Sequence, residues 1–210
     1  GRSGQQVADT LVQEILDVLR DSKFEIGEIV VNIDDMGPFQ NVVIQECERM
    51  NALNSDIVQS LIELDLGFRG MLTMSERMED LASSLYLDRV PKRWEILAYP
   101  SLRALGAWIV DLQTRMTQLS EWAGNPSESP LVAWISGLFN PQSFVTAVMQ
   151  KTAQEKNLEL DKLNVLFDVT KKMQADEITQ HPKDGTYISG LYVEGASWNV
   201  NSSLFEPSKP

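Results

Sequence analysis

The chain has a single cysteine and a single histidine among 210 residues, and that scarcity removes whole classes of chemistry. Cys47 has no partner for an internal disulfide, so a disulfide-stapled fold is ruled out and a reducing, intracellular setting is expected. With His181 as the lone imidazole, a multi-histidine metal site cannot be assembled, and no metal ligands are expected. A Cys47–His181 nucleophile–base pair is not expected either. Cys47 falls on the apolar stripe of a helical pattern, where cysteine behaves as a small hydrophobe. No Gly-Lys-Ser/Thr occurs, so there is no phosphate-cradling loop. Gly67-Phe68-Arg69-Gly70 lies between two helical patterns and reads as a helix break. The protein is therefore not expected to hydrolyse ATP alone, and no cofactor is assigned to it. No apolar run is long enough to span a membrane, and no signal-peptide pattern is present. Basic residues are outnumbered, 18 against 30 acidic, for a net charge of −12 with no Lys/Arg patch. That balance argues against nucleic acid or an anionic membrane as partner.

What remains is an ordinary globular composition, 43% hydrophobic and 23% charged. Gly1-Arg2-Ser3-Gly4 reads as an expression scar, and the Glu206–Pro210 end carries turn chemistry, as if the sequence were cut there. From Gln5 to Ser22, apolar residues at Val7, Leu11, Ile15, Val18 and Leu19 predict a helix with one buried face. Phe24–Ile33 is compatible with a helical turn or a short strand. The longest stripe, Val43, Cys47, Met50, Asn54, Ile57, Leu61 and Leu64, predicts a packed helix over about 39–66. Thr73 and Glu76 match a capping box for a helix burying Met74, Met78, Leu81 and Leu85. Ser101 is the expected N-cap of a further helix whose stripe runs Leu102, Leu105, Ile109, Leu112, Met116, Leu119, widened by Trp108 and Trp122. Leu131–Phe139 is apolar enough to be buried on every side, and Asn140-Pro141 has the form of a cap followed by proline at the first helical position. Beyond it the period changes to two. Leu163–Thr170 and Thr186–Val193 read as strands, which must pack on helices or find further partners. The expected fold is mainly α, a helical body with a short C-terminal β portion.

The carboxylates show no catalytic arrangement: Asp34 and Asp35 precede a Gly-Pro break, and Glu46 and Glu48 point to different sides of their helix. The informative residues are aromatic. Trp94, Tyr99, Trp108, Trp122, Trp134, Phe139 and Phe144 crowd around Pro91, Pro100 and several glycines. Such a cluster is either an aromatic core or a surface that docks onto another module, where Trp and Tyr carry much of the binding energy. The candidate docking residues are Pro91, Trp94, Tyr99, Pro100, Trp108 and Trp134.

The order of these pieces resembles a known family. Val90-Pro91-x-x-Trp94, Tyr99-Pro100-Ser101-Leu102, Gly106-x-Trp108, Trp134-Ile135-x-Gly137-x-Phe139-Asn140-Pro141-Gln142-Ser143-Phe144, Asp184-Gly185-x-Tyr187-x-x-Gly190-Leu191 and Glu194-Gly195-Ala196-x-Trp198 follow the pattern of the C-terminal region of dynein heavy chains. Gln45-Glu46-x-Glu48-Arg49-Met50-Asn51 looks like the helix leading into it, and the pattern is most like axonemal dyneins, the outer arm among them. The resemblance implies a part of a motor without a catalytic site of its own. In this family a ring of six AAA+ modules binds ATP and Mg²⁺, and a stalk binds microtubules. Residues 5–36 would end the sixth module, 37–160 would form the helical part of the C-terminal domain, and 161–210 would begin its β portion, an incomplete small barrel. The implied partners are the AAA+ ring modules of the same heavy chain, with dynein complex subunits and microtubules reached through the parent. The implied location is the cytoskeleton of a ciliary or flagellar axoneme, in the cytoplasm. The alternative is a free-standing acidic helical scaffold or a small hydrolase.

Overall fold

The computed structural model describes residues 3–163, 175–183, 185–189 and the backbone of 196–199 and 204–207. Seven α-helices account for most of these residues, and four short strands accompany them, an α+β architecture. The protein divides into two compact units, residues 1–32 with 43–125, and residues 33–42 with 126–210.

The first unit contains α1 (Gly4–Leu19), α2 (Ile26–Val31), most of α3 (Pro38–Phe68), α4 (Glu76–Tyr86), α5 (Lys92–Leu97) and α6 (Leu105–Gly124). Its spine is α3. Every residue of the sequence stripe, Val43, Cys47, Met50, Asn54, Ile57, Leu61 and Leu64, is buried there. The expected face of α1 is rotated by about one position. Ala8, Val12, Ile15, Leu16 and Leu19 are buried while Val18 is exposed, because α1 packs against α4. Ser3 caps α1, accepting from the Gln6 N–H at 3.2 Å. The ambiguous segment after α1 is helical, and it is clamped to α3: the Phe24 N–H donates to Asn51 Oδ1, and Asn51 Nδ2 donates to the Phe24 carbonyl, both at 2.8 Å.

Two caps differ from expectation. The N-cap of α4 is Ser75, whose hydroxyl accepts from the Met78 N–H at 3.2 Å, so Thr73 lies outside the helix. Ser101 does not cap α6, which begins only at Leu105. Its hydroxyl accepts from the Arg103 N–H instead, closing a local turn.

The second unit is built on α7 (Pro141–Lys156), with β1 (Val132–Trp134), β2 (Tyr187–Ser189), β3 (Ala196–Asn199) and β4 (Leu204–Pro207). Asn140 caps α7 as expected, accepting from the Ser143 N–H at 3.1 Å. Phe144 stacks at a tilt on Phe39, ring centroids 5.4 Å apart, and Ala133, Ile135, Leu138, Phe139 and Ala147 complete the core. Gln40 Nε2 donates to the carbonyls of Pro126 and Ser127 at 3.0 and 3.1 Å. The apolar run 131–139 is a strand followed by a tight 3-10 turn rather than one uniformly buried segment. It supplies the partner for the second expected strand: β1 and β2 pair in parallel, Ala133 opposite Ile188. β3 and β4 form a separate antiparallel pair, and the described strands do not close into a barrel. The strand expected over 163–170 lies outside the described residues except at Leu163.

Candidate docking surface

Four of the six residues singled out from the sequence are buried within the first unit. Trp94 and Trp108 are almost inaccessible, Tyr99 is 4% exposed, and Pro91 is buried. The three aromatic rings form a stack. The Trp94 and Trp108 rings lie 6.1 Å apart and tilted by 28°, and the Tyr99 ring lies 6.2 Å from Trp108 at 24°. The Arg115 guanidinium closes the end of the stack, 3.5 Å from the centre of the Tyr99 ring, with its charge met by Asp111 at 2.8 Å. Burial is the main reason the Tyr99 phenol is pushed well above its usual range. Arg115 opposes that shift and Asp111 adds to it. At the other end, the Trp94 indole N–H donates to the Ser60 hydroxyl at 3.1 Å, which donates in turn to the Ile57 carbonyl at 2.9 Å. The indole is thus both packed and hydrogen-bonded, as a buried tryptophan requires. Pro100 is exposed, and Trp134 is half-buried in the second unit. The aromatic rings hold a surface in place; they are not themselves the surface.

What they hold is the segment between α4 and α6. Its two ends are clipped together by Asp88. The Asp88 carbonyl accepts from the Leu105 N–H at 3.1 Å, and its carboxylate accepts from the Gly106 N–H at 2.9 Å. Ala104, at the N-cap position of α6, has no side chain that can cap, so a residue from the end of α4 supplies the missing acceptor. Asp88 does so from a left-handed backbone conformation, φ 54°, which Asp tolerates better than most side chains. Near the middle of the segment, the Arg93 guanidinium binds both oxygens of Asp56, at distances from 2.7 to 3.0 Å.

With Trp94 and Tyr99 turned inward, apolar side chains between and beside them are forced outward. Ile96 is 81% exposed, and Leu102 is fully exposed. Leu102 was the expected first residue of the buried α6 stripe. It falls off that stripe because α6 starts at Leu105, so the helical spacing does not reach back to it. Asp88, Ser60, Asp56 and Arg115 were not found by sequence reasoning. The partners of Asp88, Ser60 and Asp56 lie far along the sequence and carry no motif, whereas Asp111 and Arg115 stand four apart on one helix, a spacing that could have marked the pair.

Among the described residues no alternative chemistry gathers elsewhere. Cys47 is buried, and desolvation, aided by Glu46 and Glu48, pushes its thiol up to about 12. A thiol so placed is not a nucleophile. His181 is exposed. Among the described residues no group of three or more His, Cys, Asp or Glu could hold a metal ion. A cleft of about 760 Å³ in the second unit is lined by Asp35, Asn41, Gln150, Gln154 and Asn157 among others, with one carboxylate and no base or nucleophile beside it.

Comparison with known proteins extends the resemblance to all 210 residues. The family model for the C-terminal domain of the dynein heavy chain matches residues 1–210. The sequence is 46% identical to the dynein beta chain of the flagellar outer arm of Chlamydomonas reinhardtii, over 100% of this chain and 5% of that protein. It is 42% identical to the ciliary dynein beta chain of Heliocidaris crassispina, over 95% of this chain and 4% of that protein. It is 40% identical to the human dynein axonemal heavy chain 9, over 100% of this chain and 5% of that protein. The 210 residues therefore span about one-twentieth of the length of the relatives they match.

Proposed function

This chain belongs to the family of C-terminal domains of dynein heavy chains, and from that premise we propose that it is a docking module that packs against the AAA+ ring of its parent and tunes ATP-driven movement along microtubules. The observation that carries the reading is the Asp88-clipped segment, which buries its aromatic rings and presents Ile96 and Leu102 to the outside. Exposed leucine and isoleucine on an ordered, clipped segment suit a surface covered in a larger assembly. In this reading the module has no reaction of its own, and the ATP and Mg²⁺ chemistry belongs to ring modules outside these 210 residues. Residues 5–36 are assigned to the end of the sixth AAA+ module. The packing of α1 on α4, and the hydrogen bond from Gln13 Nε2 to Asp65 Oδ1 at 3.0 Å, would then themselves be contacts between ring and docking module. The working location is the axoneme, within a dynein complex, as the names of the relatives suggest.

A module acts on a motor only by favouring one arrangement of the ring over another, which requires contacts that differ between the two. The test is to remove residues 90–210 from the full heavy chain and to measure velocity, force and run length alongside nucleotide binding. Altered movement with intact nucleotide binding is the expected result. Movement indistinguishable from that of the intact motor would overturn the reading.

A further inference from the structure

The outward face at the start of α6 has a chemistry that differs from the rest of the molecule. We propose that Leu87, Leu102, Ala107 and Val110, rimmed by Arg89 and Arg103, form the seat of an acidic amphipathic helix. The proposal deepens the docking reading above, and rests on it, by naming what is docked.

These residues form one surface for stated reasons. Asp88 bonds both Leu105 and Gly106, so its neighbours in sequence, Leu87 and Arg89, lie at the first turn of α6. The Arg103 guanidinium is 3.8 Å from the Asp111 carboxylate, which lays Arg103 and the preceding Leu102 alongside the next turn. On α6 the exposed positions include Gly106, Ala107, Val110 and Thr114, at helical spacing. Leu102 is fully exposed, Val110 is 63% exposed and Leu87 49%. The first turns of this face carry small or apolar side chains, and Gln113, Thr114 and Thr117 follow them. The two hydroxyls donate within the helix, Thr114 to the Val110 carbonyl at 3.1 Å and Thr117 to the Gln113 carbonyl at 3.0 Å, and so ask nothing of a partner. A ridge of small residues lets a second helix approach closely.

The charge selects which helix. The protein as a whole is at −12, yet the acids near this face are already engaged. The Asp88 carboxylate holds the Gly106 N–H, and Asp111 is 8% accessible and bound to Arg115. What projects at the rim is cationic: Arg89 is exposed, and Arg103 has 58% of its side-chain surface accessible. Asp111 meets two guanidinium groups with one carboxylate, Arg115 at 2.8 Å and Arg103 at 3.8 Å, so the rim keeps a cationic excess. A partner with leucine-like residues on one side and carboxylates flanking them offsets that excess, whereas a basic helix adds to it.

The experiment places p-benzoylphenylalanine at position 102 of the full heavy chain, where the side chain touches no core, and maps the photo-cross-linked peptide by mass spectrometry. The expected product is a helical segment of net negative charge. Arg89→Glu with Arg103→Glu should lower its yield about tenfold, the size anticipated for two rim attractions turned into repulsions, and less so in high salt. If that segment lies in another polypeptide, the inference holds and the ring-docking reading fails. If it lies in the same heavy chain but has no net negative charge, ring docking survives and the inference is overturned. A cross-link to a second copy of this surface, or none while a control probe on another exposed position reacts, also overturns it.

Discussion

Replacing Asp88 isolates the clip that joins the two ends of the segment between α4 and α6, and the structure separates its two contributions. The carboxylate caps Gly106 at 2.9 Å, and loss of a helix cap costs about 1 kcal/mol, within about 0.5–2. The backbone sits at φ 54°, where an alanine Cβ is penalised by about 1 kcal/mol and glycine is not. Asp88→Ala suffers both losses and should lower stability by about 2 kcal/mol. Asp88→Gly loses the cap but relieves the backbone, for about 1 kcal/mol or less. Asp88→Asn keeps an acceptor oxygen and tolerates the conformation, and should cost least. The Asp88 carbonyl still accepts from Leu105 in all three, so the segment is loosened rather than released. Urea unfolding of the 210-residue protein, followed by far-ultraviolet circular dichroism and by the fluorescence of its five tryptophans, gives the order. Hydrogen exchange of the amides at 105 and 106 should quicken in step with it. An Asp88→Ala variant within about 0.3 kcal/mol of the parent, or Asp88→Gly equal to Asp88→Ala, would show that the bond contributes nothing or that the backbone is unstrained.

Other consequences follow from single contacts. Ser60→Ala removes the acceptor for the buried Trp94 indole N–H and should cost about 1–3 kcal/mol. Trp94→Phe in the same background should then add less than it does alone, and strict additivity in a double-mutant cycle would refute the pairing. Gly137→Ala would drive a methyl group into the six-membered ring of the Trp134 indole, an overpacking worth about 1–3 kcal/mol, read as a lower melting temperature and a changed near-ultraviolet spectrum. Cys47 should react with a thiol reagent at pH 8 only as fast as the fold opens, and rapid labelling without denaturant would contradict its burial. The Cys47 thiol ionises near 9.0 when free and at about 12 when folded. Its neutral form is therefore favoured by folding, and stability should be level below pH 9 and fall as pH rises through that window, at up to about 1.4 kcal/mol per pH unit. Tyr99, raised from 10.0 by burial, steepens the fall above pH 10, and a flat alkaline profile would refute both assignments.

Local periodicity determined much of this protein in advance. The α3 stripe from Val43 to Leu64 survives intact because a long helix with one apolar face has a single low-energy way to bury it. The Asn140-Pro141 start of α7 survives for a similar reason, since the cap and the residue it serves lie three positions apart. The sequence also held the order of aromatic and proline pieces that marks the family, and the charge balance that turns attention away from phosphate surfaces. It was silent wherever the deciding partner lay far along the polypeptide. α1 turned its face by one position to meet α4, and Ser101 lost the cap of α6 to Asp88. Leu131–Phe139 became a strand and a turn because β2, more than fifty residues later, pairs with it. The segment between α4 and α6 shows the limit most clearly. By spacing, Leu102 belongs with the buried residues, and the structure exposes it; Trp94, which the sequence left between an aromatic core and a docking surface, is in the core. Which side of a short segment faces inward is set by the partners waiting there, Ser60, Trp108 and Arg115, and those are assembled only when the helices pack.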